Sequence, residues 1–563
     1  MKVIIVGGVA GGATAAARIR RLDEHAEITV FERSGYISYA NCGLPYYIGD
    51  VITDPEELTL QTPESFFKRF HINMKIHHEV ISIHPDRKTV SVKNLENGEI
   101  FEENYDKLIL SPGAKPTQPR LPGVGIDELF TLRTVEDTFR IKEYINKNHP
   151  KSAILAGGGF IGLELAENLR ELGMDVTIVQ RPKQLMNPFD PDMASMIHNE
   201  MRKHGIKLVL GYTVEGFKEK DNGVEVLLKD NPSLHADMVV LAIGVTPDTA
   251  LAKEAGLELG IKESIVVNDR METSVPDIYA AGDAVQVKHY VTGNDALISL
   301  AGPANKQGRI IADNICGGDS HYLGSQGSSV IKVFDMTAAT TGINETNAKK
   351  SGLEVDTVIL SPMSHAGYYP GGKVMTMKVV FEKETYRLLG AQIIGYEGVD
   401  KRIDVLATAI HAGLKATQLK DLDLAYAPPY SSAKDPVNMA GFMIDNIAKG
   451  VLKQWHLEDM DKISKDKNAV LLDVRTVGEF SRGHINGFKN IPVDELRERI
   501  NEIEKGKPVY LICQSGLRSY IASRILEGNG YETYNFSGGF RFYDAVVNDR
   551  ALIERAYACG MDY

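Results

Sequence analysis

Cysteine is scarce in this sequence. The 563 residues hold four, at positions 42, 316, 513 and 559, and a single tryptophan, Trp455. No two cysteines form a CxxC pair or a zinc spacing, which argues against a disulfide scaffold and a structural metal. Positive charge is also short, with 63 Lys and Arg against 75 Asp and Glu for a formal net charge of −12. Phosphate backbones need a basic face, so this balance speaks against general nucleic-acid binding and leaves room only for local basic pockets. Long hydrophobic runs are missing too. No stretch approaches the roughly 18–20 apolar residues that cross a bilayer, and Met1-Lys2-Val3-Ile4-Ile5-Val6 lacks the basic segment and apolar core of a signal peptide. These absences lead to the expectation of a cytoplasmic protein without a membrane partner, whose lone thiols stay reduced. What is present is ordinary for a globular chain, 43% hydrophobic and 25% charged, and the length suggests three to four domains at about 150 residues each.

Glycine is where the pattern becomes specific. Val3-Ile4-Ile5-Val6 reads as a strand running into Gly7-Gly8-Val9-Ala10-Gly11-Gly12, an Ala-rich helix is expected over residues 13–22, and Ile28-Thr29-Val30-Phe31 ends at Glu32 and Arg33. Small residues in such a turn let the backbone approach a pyrophosphate at a helix N-terminus. Glu32 lies 20 residues past Gly12, the distance at which an acid takes a ribose hydroxyl. Val9 stands where the middle glycine of GxGxxG belongs, so the loop alone could be an ordinary strand–helix turn. A second copy changes that. Ala153-Ile154-Leu155-Ala156 leads into Gly157-Gly158-Gly159-Phe160-Ile161-Gly162, a complete GxGxxG, with a helix through Glu164 and Glu167 and a strand at residues 176–179 ending at Gln180-Arg181. Two such units indicate two dinucleotides, one held and one exchanged. A Glu closing the second unit would bond a ribose 2′-OH and repel a 2′-phosphate. Gln180 bonds without repelling, and Arg181 either meets a phosphate or is a solvated strand-end charge, so NADH and NADPH both stay open.

Residues 105–110 read as a strand closing on Ser111-Pro112-Gly113-Ala114, and residues 239–243 repeat the design before Gly244-Val245-Thr246-Pro247. Ile278-Tyr279-Ala280-Ala281-Gly282-Asp283-Ala284 places a carboxylate after a short strand and a flexible glycine. From about residue 322 the texture changes to period-2 strands and a helical stretch at 400–412, an α+β unit without a nucleotide turn. Residues 446–466 are charged and helix-prone, the pattern of a connector, and a last α/β unit follows with strands at 470–472 and 509–512.

Two cysteines have surroundings that suit chemistry. Cys42 sits in Ser38-Tyr39-Ala40-Asn41-Cys42-Gly43-Leu44-Pro45. A helix start there is expected to depress the thiol pKa, against the plain alternative of a buried apolar cysteine. Cys513 opens Cys513-Gln514-Ser515-Gly516-Leu517-Arg518-Ser519 directly after an apolar strand. Such a loop can turn several N–H groups inward to hold a thiolate or persulfide, with Arg518 adding positive charge. Cys316 and Cys559 lack these surroundings and are expected to be inert. Two aromatic clusters, at residues 365–371 and 426–431, carry Pro and Gly that imply fixed loops. They read either as packing or as the lining of a pocket.

Together these residues resemble the two-dinucleotide flavin disulfide reductases, in particular the single-cysteine coenzyme A disulfide reductase branch, over residues 1–445. The marks are residues 7–12, residues 38–45 with their one cysteine, residues 157–162, residues 279–284, Tyr368 and Tyr426. The C-terminal part resembles a rhodanese sulfurtransferase through Asp473-Val474-Arg475, Glu479-Phe480, Gly483-His484-Ile485, Ile491-Pro492, the loop at 513–518 and Ser537-Gly538-Gly539. That loop has the six-residue length of sulfur-carrying members.

The resemblance implies an α/β protein with two dinucleotide-binding Rossmann-like domains, an α+β dimerisation domain and a C-terminal α/β rhodanese domain. Its implied boundaries are 1–112 with 244–321 for FAD, 113–243 for NAD(P)H, 322–445 for dimerisation, 446–462 for a linker and 463–563 for rhodanese. It implies an FAD-dependent NAD(P)H oxidoreductase reducing coenzyme A disulfide, coenzyme A persulfide or polysulfide. FAD is placed on Gly7, Val9, Ala10, Gly11, Gly12, Glu32, Arg33 and Asp283, and NADH or NADPH on Gly157, Gly159, Phe160, Ile161, Gly162 and Gln180. Ser111, Gly113, Gly244 and Ala284 are further cofactor-binding residues. Cys42 is the implied redox thiol, forming a mixed disulfide with coenzyme A, and Cys513 with Arg518 the sulfane-sulfur carrier. Tyr368 and Tyr426 match a pair that reaches across a homodimer to the cysteine of a second copy and acts as general acid. Coenzyme A is a polyanion and is assigned Arg18 and Arg21, one turn apart on a helix, with Ser38, Asn41, Asn305 and Arg309. No metal is expected. Three other readings remain: an NADH peroxidase or oxidase of the same fold cycling through sulfenic acid, though those carry His where this chain has Ala10; a sulfurtransferase whose flavoprotein half is auxiliary; and a redox sensor of low turnover.

Overall fold

The computed structural model describes residues 1–558, so Cys559 lies outside the described residues. The chain divides into two compact units: Met1–Pro182 with Gly205–Gly327, and Lys183–His204 with the chain from Ser328 onward.

The first unit contains two five-stranded parallel sheets. One has the order Ile278–Ala280, Lys107–Leu110, Lys2–Val6, Glu27–Phe31, Asn73–Lys75, and the other Leu129–Thr131, Met238–Leu241, Ser152–Ala156, Asp175–Gln180, Lys207–Leu210. Their strands are near-continuous apolar runs because both faces are covered; Val3, Ile4, Ile5, Leu108, Ile109 and Val30 are wholly buried. In each sheet the strand entering a glycine loop is flanked on one side by its sequence successor and on the other by a late strand. Val6 thus lies opposite both Phe31 and Leu110, and Ala156 opposite both Val179 and Leu241. The chain order reverses at these strands, which opens a crevice at their carboxyl ends. Both glycine loops sit at that position.

The second unit has a five-stranded antiparallel sheet, ordered Ser329–Val333, Met336–Gly342, Leu388–Gly395, Met375–Glu382, Val355–Leu360, with the Val399–His411 helix packed on it. A parallel sheet follows, ordered Gln454–Trp455, Thr533–Phe536, Val509–Ile512, Val470–Asp473, Lys489–Asn490. Its edge strand falls inside the stretch expected to be a connector. Gln454 and Trp455 pair with Asn535 and Phe536, and Trp455 is 2% exposed with its indole N–H on the Leu511 carbonyl. A large apolar ring thus ties Trp455, within the linker expected at 446–462, to the last core. The Pro191–Lys203 helix also departs from expectation: it lies within residues 113–243 yet packs with the second unit. Its Arg202 and His198 pair with the buried carboxylate of Asp549, and Asp190, just before it, accepts from Thr346 and Gln392. No helix among the described residues is long and apolar enough to cross a membrane.

Candidate active site

The first glycine loop is shaped by steric necessity. Gly7 has φ +96°, and a Cβ there would sit 2.1 Å from the Ser111 carbonyl oxygen; a Cβ on Gly12 would sit 1.9 Å from the Gly7 carbonyl oxygen. Val9, in place of the middle glycine, has φ −105° and caps the helix, so a side chain is tolerated there. The helix itself runs Ala10–Leu22, three residues earlier than expected, because Gly11 and Gly12 form its first turn rather than the loop. Glu32 closes the unit by accepting N–H from Gly8 at 2.8 Å and Ser34 at 2.9 Å. Burial raises its carboxyl pKa, and these two amides offset the rise only in part. A cavity of about 340 Å³ is lined by Gly7, Val9, Glu32, Arg33, Asn41, Ser111, Gly113 and Arg133. Arg33 pairs with Asp248 at 2.9 Å, and Asp283 accepts from Arg133 at 2.7 Å. Ala284 is buried beside it. Arg133 carried no motif and was missed from sequence; only its fold neighbours reveal it.

The second loop reproduces this construction. A Cβ on Gly157 would meet the Ala242 carbonyl oxygen at 2.2 Å, and one on Gly162 the Gly157 carbonyl oxygen at 2.2 Å. Gly159 caps the Phe160–Glu171 helix, which Phe160 and Ile161 open, and has open space before it. The Gln180 side-chain oxygen accepts from Gly158 N–H at 3.1 Å, as Glu32 does from Gly8, so its NH₂ group is the part left for a ligand. Gly244 precedes Val245–Pro247, which pairs antiparallel with Ala114–Pro116.

Cys42 lies exposed in the Asn41–Gly43 turn before the Leu44–Ile48 helix. The expected depression of its pKa is not found. Partial burial pushes the thiol up, the Glu164 carboxylate pushes it further, and Arg133 opposes both. A helix of five residues offers little dipole, while an anion close by outweighs it. Glu164 is itself pushed up to about 7, mainly by burial and then by Glu167. The side-chain oxygen of Asn41 is buried without a partner. Ser38, at φ +46°, donates its N–H to the Gly8 carbonyl, which ties the Cys42 segment to the first loop.

The candidate coenzyme A residues fare unevenly. Arg18 and Arg309 converge on Asp313, at 2.8 and 3.9 Å, so their positive charge is shared with a carboxylate. Arg21 is exposed. Asn305 accepts from Thr14 at 2.5 Å and donates to the Ala301 carbonyl. Cys316 packs against the core of the first parallel sheet, and burial pushes its thiol up.

In the second unit Tyr368 and Tyr426 meet, hydroxyl to hydroxyl at 2.6 Å, and the contact raises the Tyr426 pKa. Both are open to solvent in the single chain, Tyr368 76% exposed and Tyr426 45%. Their loops are fixed by buried Arg402, which donates to the Ser364 and Tyr430 carbonyls and pairs with Asp435 at 3.0 Å. Cys513 is 1% exposed. Its sulfur accepts from Gly516 N–H at 3.1 Å and the Ser519 hydroxyl at 3.2 Å. Arg518 is not the free cation expected, because both its terminal nitrogens bond Glu479, each at 2.7 Å. Arg475, known from sequence only as part of the Asp473-Val474-Arg475 motif, is buried on Asp473 and stacks 3.8 Å over Phe540, whose N–H donates to the Cys513 carbonyl.

Residues 1–308 match the family described as pyridine nucleotide-disulphide oxidoreductase, and residues 328–436 match its dimerisation domain. The chain belongs to this family. Residues 456–545 match the rhodanese-like domain. Among relatives of this oxidoreductase, coenzyme A disulfide reductase of Staphylococcus aureus (strain JH9) is 38% identical over 442 residues, 78% of this chain and 99% of that one. The reduced CoADR-RHD of Bacillus anthracis superposes with TM-score 0.95 at 48% identity, covering 98% of each chain. A NAD-dependent persulfide reductase from A. fulgidus superposes with TM-score 0.90 at 38% identity, covering 96% of this chain and all of that one. The architecture is therefore the α/β reductase with dimerisation and rhodanese domains. The family implies FAD and NAD(P)H, and the first loop fits a dinucleotide on two counts: Cβ atoms at Gly7 and Gly12 would collide with backbone, and Asn41, whose side-chain oxygen has no partner, is among the residues lining the cavity.

Proposed function

We propose that this oxidoreductase reduces coenzyme A disulfide, coenzyme A persulfide or polysulfide through Cys42, with Cys513 carrying sulfane sulfur. The observation that supports it most directly is the pairing, in one chain, of a solitary thiol beside the first dinucleotide cavity with a second thiol seated on its loop's N–H and hydroxyl groups. Cys42 has no neighbouring cysteine with which to form an internal disulfide, so its disulfide partner is a small thiol. The relatives named for coenzyme A disulfide and persulfide reduction point to the same substrate class.

On this reading FAD would be held by Gly7, Val9, Ala10, Gly11, Gly12, Glu32, Arg33, Ser111, Gly113, Gly244, Asp283 and Ala284, where it would supply two-electron transfer between the nicotinamide and the disulfide. NAD(P)H is held by Gly157, Gly159, Phe160, Ile161, Gly162 and Gln180. Gln180 presents no carboxylate to repel a 2′-phosphate, so it excludes neither NADH nor NADPH. Cys42 thiolate attacks the coenzyme A-bearing sulfur of the persulfide, forming Cys42–S–S–CoA and expelling HS⁻; from the disulfide it expels coenzyme A thiolate. Two-electron reduction returns Cys42 thiolate and coenzyme A thiolate. Arg18, Arg21, Arg309, Ser38, Asn41 and Asn305 bind coenzyme A, and the exposed Tyr368–Tyr426 pair serves the cysteine of a second copy by protonating the leaving sulfur.

Mass spectrometry of denatured native protein should find coenzyme A on Cys42. Cys42→Ser should abolish reduction of coenzyme A disulfide, coenzyme A persulfide and polysulfide while leaving persulfide formation on Cys513. Full reduction by Cys42→Ser would overturn the proposal.

A further inference from the structure

We infer that Glu479 sets the donor selectivity of the Cys513 loop, by cancelling the charge of Arg518 and so favouring organic hydropersulfides over dianionic donors such as thiosulfate. The inference rests on the reading of Cys513 as a sulfur carrier.

The two donors react differently. With an organic hydropersulfide, Cys513 thiolate attacks the terminal sulfur and the inner sulfur leaves as a thiolate: Cys513–S⁻ + R–S–SH gives Cys513–S–SH + R–S⁻. With thiosulfate the attack displaces sulfite: Cys513–S⁻ + S–SO₃²⁻ gives Cys513–S–S⁻ + SO₃²⁻. Counted on the reacting groups, with the hydropersulfide protonated as written, the first gathers one negative charge at the loop and the second gathers three. Cys513 is 1% exposed, and charges brought together away from water repel strongly. A loop that accepts thiosulfate readily therefore needs an uncompensated cation beside the sulfur.

This loop has none. Arg518 lies within electrostatic reach of Cys513, but its fork is taken up by both oxygens of Glu479. Such bidentate pairs are among the stronger charge-assisted hydrogen bonds. Glu479 stays ionised at any working pH, its carboxyl held down at about 2, first by the Arg518 hydrogen bonds. It is also fixed from behind, since the Thr476 N–H and hydroxyl donate to the same carboxylate. Arg475, the second arginine at the loop, is neutralised by Asp473. Arg541, whose N–H donates to the Gln514 carbonyl, is exposed, and water screens it. Against thiosulfate, Glu479 is a repulsive element in the sense in which specificity is built by disfavouring the wrong partner.

The test uses the full-length flavoprotein with Cys42→Ser, so that the redox thiol does not compete, and follows the one-sulfur mass increment on the Cys513 peptide with thiosulfate and with glutathione hydropersulfide. The unaltered loop should react at least about a hundredfold faster with the hydropersulfide. Glu479→Gln keeps a hydrogen-bonding partner for Arg518 but removes the charge; it should raise the thiosulfate-to-hydropersulfide rate ratio by about tenfold, the factor equivalent to roughly 1.4 kcal/mol. The gain should shrink with added salt, and Glu479→Asp should keep the original ratio. Arg518→Gln moves the ratio the other way, because it leaves Glu479 unopposed. A ratio raised less than about threefold by Glu479→Gln, or a parallel loss with both donors, overturns the inference and leaves Glu479 a structural residue. If Cys513 takes sulfur from neither donor, the carrier reading falls, and the inference with it.

Discussion

Replacing Glu164 by Gln should make Cys42 more acidic and remove a pH dependence centred near neutrality. Glu164 stands on the helix that follows the second glycine loop, and its pKa is pushed up from 4.5 to about 7. At 1.36 kcal/mol per unit this corresponds to about 3 kcal/mol against its ionisation in the folded state. The sign follows from linkage. A carboxyl whose folded pKa exceeds its unfolded value costs no stability below about pH 4.5; the penalty grows as pH rises towards 7 and is complete above it. Glu164→Gln should therefore melt at a higher temperature than the parent at about pH 8, with no difference at about pH 4. The same charge acts on Cys42, whose thiol it pushes up. As pH rises through about 7, ionisation of Glu164 should restrain thiolate formation, so alkylation of Cys42 by iodoacetamide should show an inflection there. The assay is the pH–rate profile of alkylation at Cys42, read by peptide mass in a Cys513→Ser background. Loss of the inflection and a lower thiol pKa in Glu164→Gln are expected. Superimposable profiles, or a variant that melts lower at about pH 8, would refute the reasoning.

Three further outcomes are expected. Gly12→Ala places a Cβ 1.9 Å from the Gly7 carbonyl oxygen, so the protein should purify without flavin absorbance at visible wavelengths while Cys513 still takes up sulfur. Gln180→Glu restores the carboxylate that repels a 2′-phosphate, and kcat/KM should shift towards NADH over NADPH by about tenfold or more. Asp549→Ala leaves His198 and Arg202 without their buried carboxylate; breaking such a pair from one side costs about 3–5 kcal/mol, and calorimetry should show an earlier transition in the unit containing the rhodanese-like domain.

Much of the fold and part of the candidate site were legible from local pattern. The strand–glycine–helix units were readable because the collisions at Gly7, Gly12, Gly157 and Gly162 involve residues that a short loop brings together. The Cys513 loop was readable for the same reason, since Gly516 and Ser519 are three and six residues from the sulfur they bond. The Tyr368–Tyr426 contact spans 58 residues and came only through the resemblance. Trp455 misled, because a charged, helix-prone context conceals one large ring whose burial outweighs local propensity.

The sequence by itself determined two strand–glycine–helix turns of the dinucleotide-binding kind and one cysteine set in a distinctive loop in each part, since backbone sterics and turn chemistry are written in consecutive residues. Only the tertiary structure decided the electrostatics around those thiols. Glu164 raises Cys42 from another loop's helix, Glu479 disarms Arg518 from 39 positions away, and Arg133 reaches Asp283 across 150. Coulomb interactions depend on distance in space and on the water excluded between charges, and neither quantity can be read from a spacing in sequence.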